Sequence, residues 1–307
     1  MQNQSFVTEF VLLGLSWNPN VQKIEFVVFL FSYMATVGNL LVVVTILSSP
    51  ALLGSPMYFF LAFLSFLHAC YSSAFAPKMI VDSLYEKKSI SFKGCMTQVF
   101  AEHFFAGVEM IILTAMAYDR YVPFCKPLHY RSIMNWRICC ILMGVAWTGG
   151  FLHSVIQILF IFQLPFCGPN VIDHFLCDLY PLLKLTCTDT HILSLLVVAN
   201  SFICIIIFSL LLISYCVILL SLTTHSSEGW LSCGTHITVV VLFFIPCIIM
   251  YARPPSAFSF DKMVAIVCTF ITPLLNPLIY TFRNKEVKNA MRKLWTKLLG
   301  FCHENKS

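Results

Sequence analysis

Seven long apolar stretches dominate this 307-residue sequence. The hydrocarbon core of a bilayer is about 30 Å thick, so a helix that crosses it needs about 20 mainly apolar residues. The candidate spans are 24–48, 57–81, 97–121, 138–160, 192–221, 231–251 and 262–282. The sequence therefore predicts an all-α, polytopic membrane protein that folds as a seven-transmembrane helix bundle.

The composition favours lipid over water as the solvent of these helices. Hydrophobic residues make up 59% of the chain, charged residues 11%, and the mean hydropathy is +0.84. A soluble domain of this size would expose much of that apolar surface to water. A soluble bundle of buried helices is the alternative, but its outer faces would have to be polar, which these segments are not.

The basic residues predict the orientation of the bundle. Four lie at the end of the third predicted span or between it and the fourth (Arg120, Lys126, Arg131, Arg137), and six follow the seventh (Arg283, Lys285, Lys288, Arg292, Lys293, Lys297). Both segments fall on one side of seven spans, so the positive-inside rule predicts a cytoplasmic C-terminus and an extracellular N-terminus. The opposing signal is a group of lysines after the second span, Lys87, Lys88 and Lys93.

This topology divides the chain into an extracellular segment 1–23, a bundle 24–282 and a cytoplasmic part 283–307. The first 23 residues lack the pattern of a cleaved secretory signal, so the first span is expected to be an uncleaved anchor. Asn3 begins a sequon on the extracellular side and is predicted to be glycosylated. Apolar residues of the last part share one face of a basic amphipathic helix at the inner leaflet: Val287, Met291, Leu294 and Trp295.

The 14 cysteines sort by their predicted depth. Those inside spans are interpreted as small apolar side chains, and those near the cytosol as free thiols. Four are predicted to be extracellular, namely Cys95, Cys167, Cys177 and Cys187. Four cysteines allow three pairings, which spacing alone does not decide. A metal site is the other interpretation, but the spacing of the loop cysteines is unlike that of a zinc site.

Three prolines, Pro246, Pro273 and Pro277, lie inside predicted spans, where each removes a backbone hydrogen bond and favours a kink. In a membrane bundle, neighbouring helices can satisfy the freed carbonyl groups. The stretch Asn276-Pro277-Leu278-Ile279-Tyr280 therefore indicates a kink with a polar neighbour and an aromatic hydroxyl one turn further on.

Several motifs occur in a fixed order along the whole chain. They are Gly38-Asn39, Pro56-Met57-Tyr58-Phe59-Phe60-Leu61, Met116-Ala117-Tyr118-Asp119-Arg120-Tyr121, Cys125-Lys126-Pro127-Leu128-His129-Tyr130, Ser214-Tyr215, Thr235-His236-Ile237 and Pro273-Leu274-Leu275-Asn276-Pro277-Leu278-Ile279-Tyr280. With this ordered set the chain resembles an odorant receptor of the rhodopsin-like class of G-protein-coupled receptors. The loop His174-Phe175-Leu176-Cys177-Asp178-Leu179-Tyr180-Pro181 further resembles the fourth subgroup of these receptors.

The resemblance implies a receptor that binds a small volatile or semi-volatile odorant and activates a stimulatory olfactory-type G protein, which raises cyclic AMP. It implies disulfides between Cys95 and Cys177 and between Cys167 and Cys187. Asp119 and Arg120 are expected to pair at the cytosolic mouth. The implied switch residues are Asp119, Arg120, Tyr121, Tyr215, Asn276, Pro277 and Tyr280.

The resemblance also implies a ligand site between the outer halves of spans three, five, six and seven. The residues expected to line it are Glu102, His103, Ala106, Gly107, Ala199, Asn200, Ile203, Cys247, Ile248, Tyr251, Ile266 and Thr269. Glu102 and His103 stand out, because ionisable groups at this depth are costly unless they are paired or hydrated. They either recognise a polar or basic ligand group or pair with the long extracellular loop.

The sequence departs from the family pattern at His68, where an aspartate is usual in a hydrated sodium pocket. We expect His68 and Glu109 to form a hydrogen-bonded pair that needs no cation. Pro123 replaces a usual alanine and is expected to end the third helix early. The loop that contains Trp230 is about one helical turn shorter than the family pattern.

The predicted function is a plasma-membrane odorant receptor without catalytic activity, cofactor, bound metal or nucleic-acid partner. The first alternative is a receptor-like protein whose coupling is impaired by His68, Pro123 and the short loop. A transporter or channel is disfavoured because the chain has no repeat and no continuous charged path. An intramembrane hydrolase would need a nucleophile or metal cluster, which the sequence does not indicate.

Overall fold

The computed structural model describes residues 7–15, 19–85, 87–125, 127–166, 169–187, 191–222, 227–252 and 258–304. Seven of its helices are long and apolar enough to cross a membrane, as the sequence predicts. Spans one to six are the helices Pro19–Leu47, Pro56–Asp82, Phe92–Cys125, Trp136–Phe162, His191–Leu222 and Ser227–Ala252. The seventh span consists of Phe258–Ile266, a π-helical segment Val267–Ile271 and Thr272–Arg283.

Short elements connect the spans. The helix Pro50–Leu53 joins spans one and two, and a 3-10 turn Pro127–His129 with the helix Tyr130–Ile133 joins spans three and four. A short helix, Leu179–Leu183, lies in the loop before the fifth span. After the seventh span, the helix Lys285–Glu304 (the terminal helix) begins after a single intervening residue, Asn284.

A small sheet covers one end of the bundle, which we call the sheet end. Its strands are β1 (Glu9–Leu12), β2 (Lys88–Ser91) and β3 (Val171–Ile172). β1 lies between the others, antiparallel to β2 with Phe10 opposite Ile90, and parallel to β3. Phe10 and Leu12 of β1 are buried and face the bundle. The sequence predicted only helices, so this sheet is an addition to the expected fold.

The helices pack through a buried core and leave apolar outer faces. The largest hydrophobic cluster joins the first six spans towards the end opposite the sheet and includes Val42, Leu64, Met116 and Phe244. Only 17% of the apolar window of the fifth span is buried. A helix that is apolar on its exposed face as well as its buried face is suited to lipid on that side.

The third span corrects one expectation. Pro123 was expected to end this helix early, but the helix runs through it to Cys125. A proline ring fixes φ near −65°, which is a helical value, and within the last turn few carbonyl groups lose a donor. Pro246 and Pro277 also lie inside helices, as expected, and the π-helical segment ends next to Thr272, whose hydroxyl donates to the carbonyl of Val267 at 3.1 Å.

Candidate functional site

One face of the third span both anchors a loop and lines the interior of the bundle. Cys95 is disulfide-bonded to Cys177, with Cα atoms 5.3 Å apart, and the backbone N–H of Cys177 donates to Oε1 of Gln98 at 3.1 Å. Glu102 follows four residues later and Ala106 four after that, so all lie on one side of the helix. The loop is therefore held directly above the interior positions of this helix.

The second expected disulfide lies partly outside the described residues, because Cys167 is among those omitted. Phe166 and Thr186 form a β-bridge, and the N–H of Cys187 donates to the carbonyl of Pro165 at 3.1 Å. Cys187 takes part in a disulfide bond.

Below the loop lies a cavity of about 70 Å³, which we call the His-lined cavity. Its lining consists of His103, Ala106, Gly107, Met110, His153, Asn200, Ile203, Cys204, Phe243, Cys247 and Tyr251. The rings of His103 and His153 are 5.7 Å apart, and a Cβ added to Gly107 would lie 3.1 Å from Cα of Gly150. Two glycines thus let the third and fourth spans approach closely beside the cavity.

A second cavity of about 50 Å³, the Glu-lined cavity, adjoins the first. It is lined by Tyr71, Glu102, Ala106, Glu109, Phe243, Cys247, Met250, Tyr251, Cys268, Thr272 and Pro273. The two cavities share Ala106, Phe243, Cys247 and Tyr251. Their linings are mostly apolar with a few polar groups, which is the usual character of a small-molecule site.

Some polar atoms around these cavities have no hydrogen-bond partner within the described part of the chain. They are Oε2 of Glu102, Nε2 of His103 and Nδ2 of Asn200. Glu102 is 7% exposed and His103 is 3% exposed. A buried polar atom without a partner is costly. A ligand that supplied the missing hydrogen bonds would remove that cost.

Eight of the twelve residues expected to line the ligand site line one or both of the two cavities: Glu102, His103, Ala106, Gly107, Asn200, Ile203, Cys247 and Tyr251. The other four do not. Ala199 is exposed on the outer surface, and Ile248 packs against the main hydrophobic cluster. Ile266 packs in a separate cluster, and Thr269 lies behind the cavity wall, where it accepts from the Tyr71 hydroxyl at 3.5 Å.

Helical phase explains most of these differences. Cys204 lies four residues from Asn200, and Phe243 lies four from Cys247, so each shares a helix face with an expected residue that lines a cavity. Adding the residues three or four positions away from the expected ones would have included both Cys204 and Phe243. His153 gave no such signal, because the fourth span was not expected to contribute to the site.

Charged groups in the loop at the sheet end hold it together. Nδ1 of His174 accepts from the N–H of Leu176 at 3.2 Å, and burial together with the nearby Lys262 lowers the pKa of His174 to about 4. Nζ of Lys262 donates to Oδ1 of Asp173 at 2.7 Å and to the carbonyl of Gly14 at 2.9 Å. Burial raises the pKa of Asp178 to about 6.

Beneath the Glu-lined cavity, three polar side chains from three spans meet. Nε2 of His68 lies 2.9 Å from Oε1 of Glu109, and Nδ1 of His68 lies 2.9 Å from Nδ2 of Asn276. The amide of Asn276 can donate to Nδ1 while Nε2–H donates to the Glu109 carboxylate. The contact of His68 with Glu109 was expected from the sequence, and the contact with Asn276 was not.

The expected switch residues lie towards the end opposite the sheet. The Tyr130 hydroxyl donates to Oδ1 of Asp119 at 2.9 Å, and Nη2 of Arg120 contacts Sδ of Met57. These contacts were not expected, and the ion pair between Asp119 and Arg120 stays a prediction.

Three tyrosines among the expected switch residues are described to different extents. The Tyr215 hydroxyl contacts Nδ1 of His236, and both side chains are buried. Tyr121 is partly buried against the main cluster. The side chain of Tyr280 lies outside the described residues, as does Asn3.

Comparison with known proteins agrees with this architecture. The family profile described as olfactory receptor matches residues 27–297. Human olfactory receptor 4X2 is 56% identical over 299 residues, which cover 95% of this chain and 98% of the relative. Human olfactory receptor 4A47 is 57% identical over 301 residues (96% and 97%), and human olfactory receptor 4S2 is 56% identical over 301 residues (96% and 96%). With its seven spans and this match along most of its length, the chain belongs to the olfactory receptor family.

Proposed function

We propose that this receptor binds a small odorant in the two adjoining cavities and activates a stimulatory olfactory-type G protein, which raises cyclic AMP. The observation that carries the proposal is the pair of apolar cavities between the outer halves of the spans, with buried Glu102 and His103 atoms that lack a partner. Cavities of about 70 and 50 Å³ suit a compact ligand, or one that moves the helices slightly apart.

The orientation that we infer places the sheet end outside the cell. The opposite end carries basic residues, among them Arg131 and Arg137 and those of the terminal helix. The positive-inside rule assigns that end to the cytosol. The receptor would then be a multi-pass plasma-membrane protein with an extracellular N-terminus and a glycan at Asn3.

A contiguous set of contacts can carry a ligand signal towards the cytosolic end. Glu109 lines the Glu-lined cavity and contacts His68, which in turn contacts Asn276 of the seventh span. Pro273, one turn before Asn276, lines the same cavity. A ligand that moves the seventh span therefore also changes the environment of His68. Coupling through such a chain requires two discrete arrangements of these groups.

The alternative of an uncoupled receptor receives little support from the described residues. It rested partly on an early end of the third helix at Pro123, and this helix continues to Cys125. The loop between the fifth and sixth spans includes residues 223–226, which lie outside the described part of the chain. The matches to olfactory receptors also give no support to a transporter, a channel or an enzyme.

The experiment is a measurement of cyclic AMP in cells that express the receptor with an olfactory G protein, across a broad odorant panel. Surface labelling of an N-terminal tag reports export in the same cells. We expect at least one small ligand to raise cyclic AMP, and Arg120→Ala to abolish the rise without removing surface label. Silence of a well-labelled receptor across the panel, together with ligand binding in detergent, would contradict the proposed coupling.

A further inference from the structure

Two buried acids lie at the sheet end of the bundle, Glu102 in the third span and Asp178 in the loop before the fifth span. They are 7% and 5% exposed. In the part of the chain that the structure describes, neither carboxyl group forms a salt bridge with Lys, Arg or His. Gln98, one turn before Glu102 in the third span, accepts from the N–H of Cys177 at 3.1 Å, and Asp178 is the next residue of the loop. Two neighbouring carboxyl groups away from water cannot both ionise at low cost unless a positive charge joins them.

The fold holds these acids in place, so the arrangement does not depend on a loose loop. Glu102 lies on the face of the third span that carries Cys95 and Gln98, and Asp178 directly follows Cys177. Oδ1 of Asp178 accepts from the N–H of Leu179 at 2.6 Å and so caps the short helix Leu179–Leu183. The disulfide and the Gln98 contact thus fix the loop acid beside the helix acid.

Lys262, a cation that contacts this loop, is already engaged. Nζ of Lys262 is bound by Asp173 and the carbonyl of Gly14, and Asp261 adds a further negative charge near Asp178. The other acid that lines the cavity, Glu109, is in contact with His68. Glu102 is therefore the carboxyl group of the Glu-lined cavity that has room for a new partner, and its Oε2 has no hydrogen-bond donor among the described residues.

The walls around Glu102 suit an organic cation. Tyr71 and Tyr251 line the cavity with Glu102, and their ring faces can attract a positive charge. An ammonium group has only hydrogen-bond donors, which is what a carboxylate without a donor requires. No group of three or more His, Cys, Asp or Glu side chains among the described residues is arranged to hold a metal ion. The chemistry favours an amine over a metal.

We propose that the ligand of this receptor is a small amine whose protonated nitrogen binds Glu102 in the Glu-lined cavity, with Asp178 providing a second negative charge from the loop. The apolar part of the amine occupies the remaining space, between Ala106, Phe243 and Cys247. This inference rests on the proposed function, since it names the chemical class of the odorant.

The test measures binding directly, as the ligand-induced rise in the unfolding temperature of the full-length receptor in detergent. The probes are primary amines of about four to eight carbons, linear, branched and cyclic, each compared with the alcohol and the carboxylic acid of the same skeleton. We expect at least one amine to bind about tenfold or more tightly than its matched alcohol, which is about 1.4 kcal/mol. Glu102→Gln should remove that preference and Asp178→Asn, which keeps the helix cap, should reduce it severalfold.

The control variant is Asp82→Asn, an acid-to-amide change at a carboxylate that pairs with Lys78 and does not line either cavity. It should leave the amine preference unchanged. The inference is overturned if no amine is preferred to its alcohol, or if the preference survives both Glu102→Gln and Asp178→Asn. If Glu102→Gln does not reach the cell surface, the amine preference of Asp178→Asn decides the test, because this variant still caps the short helix Leu179–Leu183. The amine inference would also be overturned, in favour of an inorganic cation, if sodium chloride without amine raised the unfolding temperature and Glu102→Gln removed that rise.

Parallel cyclic AMP measurements separate this inference from the proposed function. Responses to neutral odorants without any amine preference would overturn the amine inference and leave the receptor function intact. Amine binding that depends on Glu102 but raises no cyclic AMP would support the inference and contradict the proposed coupling.

Discussion

At the scale of single residues, His68 changes the chemistry of the bundle interior. It is 1% exposed and lies between Glu109 and Asn276, at 2.9 Å from each. His68 stands where such receptors usually have an aspartate. The contact with Glu109 was predicted from this difference, because a base and an acid can pair without a cation between them. The contact with Asn276 could not be predicted, since it depends on how the seventh span is placed against the second.

The arrangement of His68 predicts that sodium does not regulate this receptor. With an imidazole in place of a second carboxylate, the pocket has one fewer negative charge to attract the ion. We expect the ligand concentration for half-maximal response to be the same in sodium chloride and in N-methylglucamine chloride. His68→Asp should introduce a sodium dependence of severalfold. A clear sodium effect on the unmodified receptor would refute this account of His68.

At the scale of helices, strands and loops, the sequence predicted the elements that are long enough to show a clear apolar pattern. The seven spans are found within a few residues of their expected bounds, because about 20 apolar residues have few alternatives to a transmembrane helix. The sheet was missed because β3 has only two residues and β1 has four, too few for a strand pattern to be distinguished. The prediction that Pro123 ends the third helix was wrong, because the residue before a proline only prefers a non-helical backbone, and this preference was overridden within the last turn of a long helix.

The loop before the fifth span should loosen in acid through His174. Its pKa is lowered from 6.5 to about 4, so the neutral form is favoured in the folded state. The resulting stabilisation is fully present above about pH 6.5 and is lost as the pH falls through about 4, on the order of 3 kcal/mol in total. Asp178, whose pKa is raised to about 6, has the opposite sign and stabilises the fold most at low pH.

The measurement is amide hydrogen exchange at Leu176 and Cys177 as a function of pH, corrected for intrinsic rates. Protection should fall further from neutral pH towards pH 4 in the unmodified receptor than in His174→Gln, because protonated His174 cannot accept from Leu176 and is repelled by Lys262, whereas the opposing effect of Asp178 is common to both. The part of the loss that comes from His174 should be absent in His174→Gln, which keeps an acceptor. His129→Gln, at the opposite end of the bundle, is the matched control and should follow the unmodified profile.

At the scale of the whole molecule, the two ends of the bundle have different tasks. The sheet, the disulfide Cys95–Cys177 and the loop close the bundle above the two cavities. The opposite end carries Arg120, Tyr130 and the terminal helix, where Val287 is buried against the main cluster and Trp295 is 62% exposed. Sequence motifs indicated both ends. Of the twelve residues that family analogy suggested for the ligand site, eight line the cavities and four do not, because helix rotation decides which neighbours face inwards.

If ligands activate the receptor from the two adjoining cavities, filling the space that the cavities share should weaken activation, and the same change outside the cavities should not. Ala106 lines both cavities, whereas Ala199 was expected at the site but is exposed on the outer surface. The measurement is the concentration–response of cyclic AMP to an established agonist for Ala106→Leu and Ala199→Leu at equal surface label. We predict that Ala106→Leu, which fills the shared space, raises the half-maximal concentration by about tenfold or more, and that Ala199→Leu leaves it unchanged. An unchanged response in Ala106→Leu, or a loss confined to Ala199→Leu, would contradict the account.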